Sequence, residues 1–408
     1  MWHTGDEGAV DLMTSDVGIV FCSHIDWNAP WERYHQLASM FAGERPVIFA
    51  ENPGMRVFDL EQAMKAGERF FANLRKSAGD NLLHPTLSQQ QRNNLTAVSP
   101  WTLPSSGDKQ SVKVNSGMFA KQVNKAMDKA GFKRAVLWTS CPTEYVMALI
   151  NSRPWEAVIY DCNEDLPEAY PMLSRQLQAA ETLLMKRADA ALASSHLVER
   201  KLLRYNRQIV YYMPNGLDID RFSRPTQIPE ELSQLPRPIV GYLGTMKEKI
   251  FDMTLVANLT KSHPEWSTVL VGPVDRALIG KIDDAPLHLT GPVSYEDAPA
   301  YLRAFDIALI PFIESAATRA MNPLKVYEYL ACGLPVISSP MPDLDVFGEL
   351  VTQVTGQDKF SFAAHAAISE GRSRAAQRQQ AAAQFNWDRH FTQLNKLLDH
   401  LTAQRTPV

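Results

Sequence analysis

A lysine stands in the first turn of a predicted helix within the stretch TRAMNPLKVYEYLACGLPV, residues 318–336. Asn322 is predicted as the N-cap of this helix, Pro323 as its first residue and Gly333 as the residue after its end. The free N–H groups and the helix dipole make such a turn electropositive, so Lys325 is repelled there unless an anion is bound. The pattern therefore predicts an anion site at the start of this helix.

Glu328 lies on the same predicted helix, between Leu324 and Ala331 on a surface that is otherwise apolar. A carboxylate in that position needs partners, such as ligand hydroxyl groups or the ammonium of Lys325. The alternative is that Lys325 and Glu328 form only an ion pair three residues apart, which leaves the position of the lysine unexplained.

Short β-branched runs alternate with helical patterns along both halves of the chain, which predicts two doubly wound α/β domains. Four prolines in residues 221–238 indicate a linker between them. Ligands are then expected at the carboxyl ends of the strands and in the cleft between the domains. Strands are predicted at residues 17–23, 46–52, 134–140, 157–162, 190–195 and 209–216, and then at 238–244, 267–274, 287–291, 306–312 and 335–340.

This pattern divides the chain into five parts. We expect a flexible tail at 1–16, a first domain at 17–223, a linker at 224–237 and a second domain at 238–370. Residues 371–408 are predicted as helices that could cross back to the first domain.

Composition excludes several classes of protein. The 408 residues carry a net charge of −4, which gives no reason to expect a nucleic-acid partner. The four cysteines are far apart in sequence, so no zinc or redox pair is expected and a reduced, cytoplasmic protein is the simplest interpretation. No long apolar run and no signal-peptide pattern is present, which predicts neither a membrane span nor export. A dinucleotide dehydrogenase is not expected either, because no G-x-G-x-x-G follows a predicted strand.

The segments GYLGTMKEK, LTGPVSYED and TRAMNPLKVYEYLACGLPVIS together resemble the donor-binding domain of GT-B glycosyltransferases of the family 4 type. More narrowly, they resemble bacterial enzymes of cell-surface polysaccharide assembly, including those of teichuronic acid type and the glucuronosyltransferase of xanthan assembly. The resemblance implies the GT-B fold, in which two Rossmann-like domains face each other across a cleft. The segments DWNAPWERYHQLA, VIYDCNEDLPEAY and MPNGLDIDRF extend it more weakly into the first domain.

For the donor side, the resemblance implies that the anion is the diphosphate of a nucleotide sugar bound without a metal ion or other cofactor, and a uridine-linked sugar is expected. Glu328 matches the glutamate that binds the ribose, and Val293 falls where the backbone of the family meets the base. Ala320 stands where retaining members carry a glutamate, so the anomeric outcome is left open. The donor residues implied are Gly244, Thr245, Val293, Tyr295, Arg319, Met321, Asn322, Lys325 and Glu328.

For the acceptor side, the resemblance implies a lipid-linked saccharide or an oligosaccharide, with a catalytic base supplied by the first domain. Asp161 ends an apolar strand and matches the base of the xanthan-type enzyme, although it could instead cap a turn. Glu164 and Asp165 follow closely and could take the same role. His24 and Asp26 end the first predicted strand, where an acceptor would lie, but His24 could equally be structural.

Other features have simpler interpretations. Trp27 and Trp31 are expected to pack the first helix rather than line an acceptor sugar. The acidic runs DID (residues 218–220) and DLD (residues 343–345) are interpreted as turns rather than metal sites.

Lysines 121, 125 and 129 repeat at four-residue spacing in a basic segment at residues 113–134. This segment is expected to be either a solvated helix face or a surface that rests on anionic lipid.

Two other functions fit the same fold. A nucleotide-sugar epimerase would turn over the donor without a second substrate. A non-catalytic regulator would bind the nucleotide and show no turnover with any acceptor.

Overall fold

The computed structural model of the protein describes residues 17–53, 87–103, 108–282 and 285–403. The predicted tail at residues 1–16 lies outside the described residues, as do residues 404–408. Two parallel sheets account for the strands of the described residues. Among these residues, no helix combines the length and apolar character needed to cross a bilayer.

The first sheet has seven described strands in the order β3-β2-β1-β4-β5-β6-β7, and all neighbours are parallel. Its central strands are buried along their whole length, as their near-continuous apolar sequences require when helices cover both faces. The strands are β1 (Val17–Ser23), β2 (Val47–Glu51), β3 (Leu95–Val98), β4 (Arg134–Thr139), β5 (Ala157–Cys162), β6 (Ala190–Ala193) and β7 (Val210–Tyr212).

Helices cover the two faces of this sheet and build two cores. Phe119 and Met127 of α3 pack on one face, and Leu37 and Phe41 of α1 pack on the other. A 3-10 turn at Pro171–Leu173 separates two of these helices. The helices are α1 (Arg33–Ala42), α2 (Gln89–Asn94), α3 (Lys109–Lys129), α4 (Glu144–Ser152), α5 (Leu166–Ala169), α6 (Ser174–Met185) and α7 (His196–Leu202).

The second sheet has six described strands in the order β10-β9-β8-β11-β12-β13, again with parallel neighbours. Its strands are β8 (Ile239–Leu243), β9 (Ser267–Val271), β10 (Leu287–Gly291), β11 (Ile307–Ile310), β12 (Val336–Ser338) and β13 (Val351–Gln353). Its helices are α8 (Ile219–Ser223), α9 (Glu230–Ser233), α10 (Met253–Ser262), α11 (Arg276–Ile279), α12 (Ala298–Ala304), α13 (Ala316–Arg319), α14 (Leu324–Ala331), α15 (Gln357–Glu370) and α16 (Ala375–Ala383), with a 3-10 segment at Pro342–Leu350.

The chain crosses between the two domains at two adjacent places. Met213 packs in the core of the first domain, whereas Leu217, four residues later, packs in the core of the second. The last helix, α17 (Trp387–Ala403), returns to the first domain, where Trp387 and Leu394 join the core beside α1. The Leu217 N–H donates to the Phe385 carbonyl at 2.9 Å, so the two crossings lie side by side.

Every predicted strand is present, but β3 and β13 were not predicted. Both lie at the edge of a sheet and are only three or four residues long. Their sequences, LTAV and VTQ, are too short for the buried-strand pattern that located the others, and VTQ is also mostly polar. The strand predicted at residues 209–216 is shorter in the structure, because only Val210–Tyr212 pairs with β6.

Candidate functional site

Charged side chains from both domains interact in the cleft between the carboxyl edges of the two sheets. His24 follows β1 and Glu164 follows β5, whereas Lys247 follows β8 of the second domain. Burial lowers the pKa of His24, Glu164 opposes that change, and Lys247 adds to it. Charges of both domains therefore lie close enough to influence the same imidazole.

Glu32, the residue before α1, is part of the same charged group. Burial raises the pKa of its carboxyl to about 7, Lys247 and Lys325 act to lower it, and Glu164 acts to raise it. Such a carboxyl can hold or release a proton at neutral pH, which is the property a general base requires. Its backbone N–H donates to Nδ1 of His35 at 3.1 Å, which fixes the start of α1.

The helix of the opening sequence motif begins one residue later than predicted. Pro323, not Asn322, is the N-cap of α14, and it provides no side-chain cap. Asn322 was predicted as the cap but is buried, and its side-chain amide accepts from the Asn215 N–H and donates to Asp343. The end of the helix agrees with the prediction. Gly333 has φ of +74°, and the N–H groups of Gly333 and Leu334 bond back to Leu330 and Tyr329 as a Schellman motif.

Lys325 lies in the first turn of α14, as predicted, and no side chain caps that turn. Its Nζ is 5.4 Å from the ring centres of both Tyr242 and Phe312. Burial lowers the pKa of this ammonium, and the Glu328 carboxylate opposes the change. The cation is thus held by aromatic faces and one carboxylate beside free helix N–H groups, an arrangement that favours binding of an anion.

Gly244 makes room for this lysine. Its φ of +146° disfavours other residues, and a Cβ atom there would lie 2.7 Å from Cε of Lys325. Gly272, which follows β9, has φ of +130°, and a Cβ atom on it would meet the Gly244 carbonyl oxygen at 2.3 Å. The half-buried Thr245 follows, and its carbonyl accepts a hydrogen bond from the Tyr242 hydroxyl at 3.1 Å. The carboxyl edge of the second sheet therefore presents bare backbone next to the cation.

Glu328 is half-buried one turn after Lys325. Burial raises the pKa of its carboxyl to about 7, and Lys325 acts to lower it. Glu328 also raises the pKa of the Tyr295 hydroxyl, after the larger effect of burial. Glu328 therefore lies close to both Lys325 and Tyr295, and all three belong to the donor set that the resemblance implied.

Tyr295 joins the two domains. Its ring stacks on Trp31 of the first domain, with centroids 5.9 Å apart and planes 20° apart. The Arg221 guanidinium lies 4.9 Å from the centre of the same ring. Both contacts are with side chains of the protein, so enclosure of a nucleotide base by Tyr295 stays a prediction. Val293 is half-buried against the core of the second domain.

The remaining predicted donor residues lie in the segment before α14. Arg319 is exposed at the end of α13, and Met321 is half-buried against the core of the second domain. Their contact with a donor stays a prediction.

Asp161 is placed where it cannot reach a substrate without rearrangement. Its side chain has 0% exposure, and the Arg33 Nε donates to both carboxylate oxygens at 3.0 Å. The Trp138 Nε1 donates to one of the same oxygens at 3.1 Å. The prediction that Asp161 is the catalytic base is not supported by this geometry, because a base needs an oxygen that faces the acceptor. Asp161 instead anchors the guanidinium of Arg33.

The residues after β1 divide between the cleft and the core. The His24 Nδ1 lies 2.8 Å from Oγ of Ser140, and this contact fixes the orientation of the imidazole ring. The Asp26 carbonyl accepts from the Nε2 of His35 at 3.0 Å. Trp27 is buried against Phe49 and is a packing residue, as expected, whereas Trp31 reaches the second domain.

The two acidic runs serve structural roles. Asp218 caps α8 by accepting from the Arg221 N–H, and Asp343 accepts from the His196 N–H at 2.9 Å. Asp165 pairs with Lys201 at 2.8 Å. Within the described parts of the chain, no three His, Cys, Asp or Glu side chains converge to form a metal-binding group.

Glu32, Arg33 and Lys247 were missed from the sequence. Lys247 could have been found, since it follows the glycine turn after β8 by three residues. Glu32 and Arg33 lie at a helix start where Glu32 and His35 form a capping box. Because glutamate is not a preferred N-cap residue type, no local signal separated them from surface charges.

Comparisons with known proteins agree with this geometry. Residues 237–369 match the family model described as glycosyl transferases group 1. The matched residues cover most of the second domain. A putative teichuronic acid biosynthesis glycosyltransferase of Bacillus subtilis (strain 168) is 29% identical over 234 residues, which are 52% of this chain and 57% of that protein. The match therefore spans little more than half the length of that relative.

Solved structures match the architecture of both domains. Sucrose-phosphate synthase from Thermosynechococcus elongatus superposes with a TM-score of 0.70 at 16% identity, covering 95% of this chain and all of that one. Anabaena HepE, solved with UDP and glucose, superposes with a TM-score of 0.65 at 15% identity, covering 93% and 99%. At these identities the likeness shows the fold, which is GT-B as predicted.

Proposed function

We propose that the protein is a glycosyltransferase that moves a sugar from a nucleoside diphosphate donor to an acceptor held by the first domain. The observation that carries this proposal is the position of Lys325 in the uncapped first turn of α14, against the glycine turn after β8. A helix start, bare backbone and a half-buried cation together favour a phosphate group. The group 1 domain over the same residues supports that interpretation.

The donor diphosphate would contact Lys325, Lys247 and the N–H groups of α14. In the reaction, the bond from the anomeric carbon to the diphosphate oxygen breaks, and its electron pair leaves with the nucleotide. The growing negative charge is stabilised by these cations, which could replace a metal ion. The acceptor oxygen bonds to the anomeric carbon and loses its proton to a carboxylate of the first domain, for which Glu32 and Glu164 are the candidates.

We propose a uridine nucleotide because the fold matches Anabaena HepE, which was solved with UDP and with UDP-glucose. Thermal shift tests this, since a ligand that binds only the folded state raises the melting temperature. We expect UDP to raise it, and equal concentrations of ADP and GDP to raise it less. A shift with ADP or GDP in the absence of one with UDP would overturn the uridine assignment.

The acceptor is proposed to be a lipid-linked saccharide of cell-surface polysaccharide assembly, an inference supported by the Bacillus relative. The donor should be consumed only when such an acceptor is present. Release of an altered nucleotide sugar without any acceptor would indicate an epimerase instead. The four cysteines are free and buried, which agrees with a reducing compartment and with the cytoplasmic face of the membrane as the proposed location.

An exposed surface of the first domain fits that location. We define the α3 face as four exposed lysines of α3 together with three nearby exposed apolar residues of the same domain: Lys113, Lys121, Lys125, Lys129, Trp101, Leu103 and Val114. Gln122 of α3 bonds to both the N–H and the carbonyl of Trp101, and Asn115 does the same for Leu103. The two apolar side chains are thereby held beside the lysine row while remaining 47% and 49% exposed.

Lysine ammonium groups next to exposed tryptophan and leucine side chains suit the headgroup region of an anionic bilayer. We expect replacement of Lys121, Lys125 and Lys129 by Gln to weaken sedimentation with vesicles rich in phosphatidylglycerol at least tenfold, at about 1 kcal/mol per lysine. The matched control replaces the exposed lysines 186, 359 and 396, which lie outside the α3 face. Equal loss in both variants would point to net charge alone, and no loss in either would remove the membrane contact from the proposal.

A further inference from the structure

A buried polar network connects the start of α1 with the start of α14. Arg33, the first residue of α1, has its Nε on Asp161 and its Nη1 on the Pro214 carbonyl at 3.0 Å and on Oδ1 of Asn215 at 3.3 Å. Asn215 in turn bonds to Asn322, which precedes the N-cap of α14. The network therefore spans both domains without reaching solvent, since Asn215 and Asn322 are 2% and 4% exposed.

Two hydrogen bonds join the asparagines, and Asn215 donates both of them. The Asn215 N–H donates to Oδ1 of Asn322 at 3.0 Å, and the Asn215 side-chain amide donates to the Asn322 carbonyl at 2.5 Å. The amide of Asn322 also accepts from the Tyr327 hydroxyl at 2.9 Å and donates to Asp343 at 3.2 Å. Because each amide has both a donor and an acceptor role, its orientation is fixed by its partners.

This pair lies at the place where the chain passes between the domains. Asn215 falls midway between Met213, in the core of the first domain, and Leu217, in the core of the second. At the second crossing, the Phe385 carbonyl accepts from the Leu217 N–H, and the Trp387 N–H donates to the Leu217 carbonyl. A change in the angle between the domains would therefore act directly on the bonds between Asn215 and Asn322.

We propose that Asn215 and Asn322 are positioning residues that fix the start of α14, and with it Lys325, relative to α1 and the acceptor side of the cleft. This inference rests on the proposed function. Through Arg33, the pair holds the residue adjacent to Glu32, and through Asn322 it holds the segment that leads to Lys325. It therefore sets the separation between the group that receives the acceptor proton and the group that binds the leaving diphosphate.

The substitution Asn215→Asp tests this with little change in shape. The new carboxylate keeps an oxygen for Arg33, but it faces the Asn322 carbonyl with a second oxygen where an N–H had donated. Since small misplacement of reacting groups lowers the rate steeply, we expect kcat to fall by about 10- to 100-fold. The dissociation constant of UDP should stay within about threefold, because Lys325 and the N–H groups of α14 are unchanged.

Thr260→Ala is the matched control, because it removes buried hydrogen bonds within the second domain alone. We expect it to lower the melting temperature and leave kcat near that of the wild type. If Asn215→Asp leaves kcat unchanged, or weakens UDP binding as much as turnover, the positioning role is overturned.

Hydrogen exchange separates this inference from the proposed function. We expect UDP to slow amide exchange in Arg33–Ala42 of the wild type, and to have no such effect in Asn215→Asp although UDP still binds. If no acceptor is turned over by the wild type, the glycosyltransferase proposal fails, but the exchange measurement still tests whether Asn215 and Asn322 connect α14 to α1. Equal protection of α1 by UDP in both proteins would overturn that positioning role.

Discussion

Lys325 shows how a residue can be costly for the folded chain and useful for a ligand. It lies at the positive end of a helix, where its charge is unfavourable, and burial lowers its pKa further. Two aromatic rings and Glu328 hold it there. The sequence predicted this conflict because helix caps and the helix dipole depend on local residue order. The aromatic contacts could not be predicted in the same way, because the two rings come from β8 and from the segment after β11.

Replacing Lys325 by Met should separate the charge from the packing. Methionine keeps the apolar contacts with Tyr242 and Phe312 and removes the cation. We expect UDP affinity measured by calorimetry to fall by about 10- to 100-fold, the loss of one charge-assisted hydrogen bond worth about 1.5–3 kcal/mol. Lys359→Met, at an exposed position of the same domain, is the control. An unchanged UDP affinity in Lys325→Met would contradict the anion site itself.

Glu32 should make the free energy of unfolding depend on pH. Its folded-state pKa of about 7 lies above its ordinary value of 4.5, with burial as the main cause. The folded protein therefore holds a proton that the unfolded chain releases, and the free energy of unfolding falls as pH rises from 4.5 to 7. Since Gln carries no charge, Glu32→Gln should gain stability over the wild type between pH 5 and pH 8 in urea unfolding.

A catalytic role for Glu32 predicts a second effect of the same substitution. We expect kcat to fall by about 100-fold or more at little cost in UDP affinity, because general bases contribute about that much. Glu164→Gln tests the other candidate, and Glu168→Gln at an exposed site is the control. Near-normal kcat in Glu32→Gln, with a large loss in Glu164→Gln, would move the role to Glu164.

Asp161→Asn should be a stability variant instead. It offers the buried Arg33 one neutral amide oxygen in place of two carboxylate oxygens, and breaking a buried ion pair costs about 3–5 kcal/mol. We expect a lower melting temperature that UDP partly restores. If turnover instead fell by about two orders of magnitude while stability stayed normal, Asp161 would return to the role of base that the sequence suggested.

At the scale of elements, periodicity and turn residues located the buried strands and the helix carrying Lys325. They could not locate β3 and β13, because edge strands need no continuous apolar run. They also placed the N-cap at Asn322, a residue type that suits a cap, whereas the structure uses its amide between the domains. Local rules failed where a distant contact of the chain competed for the same polar group.

The glycine turn after β8 should be as important as the lysine it accommodates. In Gly244→Ala, the added Cβ would lie 2.7 Å from Cε of Lys325, and the flexible end of that side chain would have to move. The φ of +146° adds backbone strain. We expect UDP affinity to fall and the melting temperature to drop. Gly280→Ala is the control, because nothing lies within 4 Å of its Cβ position; a normal UDP affinity in Gly244→Ala would contradict the link between turn and lysine.

At the scale of the whole molecule, sequence patterns gave two domains and a cleft but not their relative placement. Two of the contacts between the domains are the ring stack of Trp31 on Tyr295 and the pairing of Asn215 with Asn322. Neither pair is visible in the sequence, because its members lie 264 and 107 residues apart and no local period relates them. Single-sequence reasoning therefore predicts each half of the site better than the way in which they meet.

The ring stack between the domains should favour the closed cleft. Trp31→Ala removes one ring from the stack and Tyr295→Leu removes the other, and both domains keep their own cores. We expect either variant to raise the KM for the donor and to increase the radius of gyration measured by small-angle scattering without ligand. If the stack itself is responsible, the double variant should open no further than either single one, because the second substitution has no stack left to break. Additive effects in the double variant would show that Trp31 and Tyr295 act separately, and an unchanged radius in all three would show that other contacts hold the domains together.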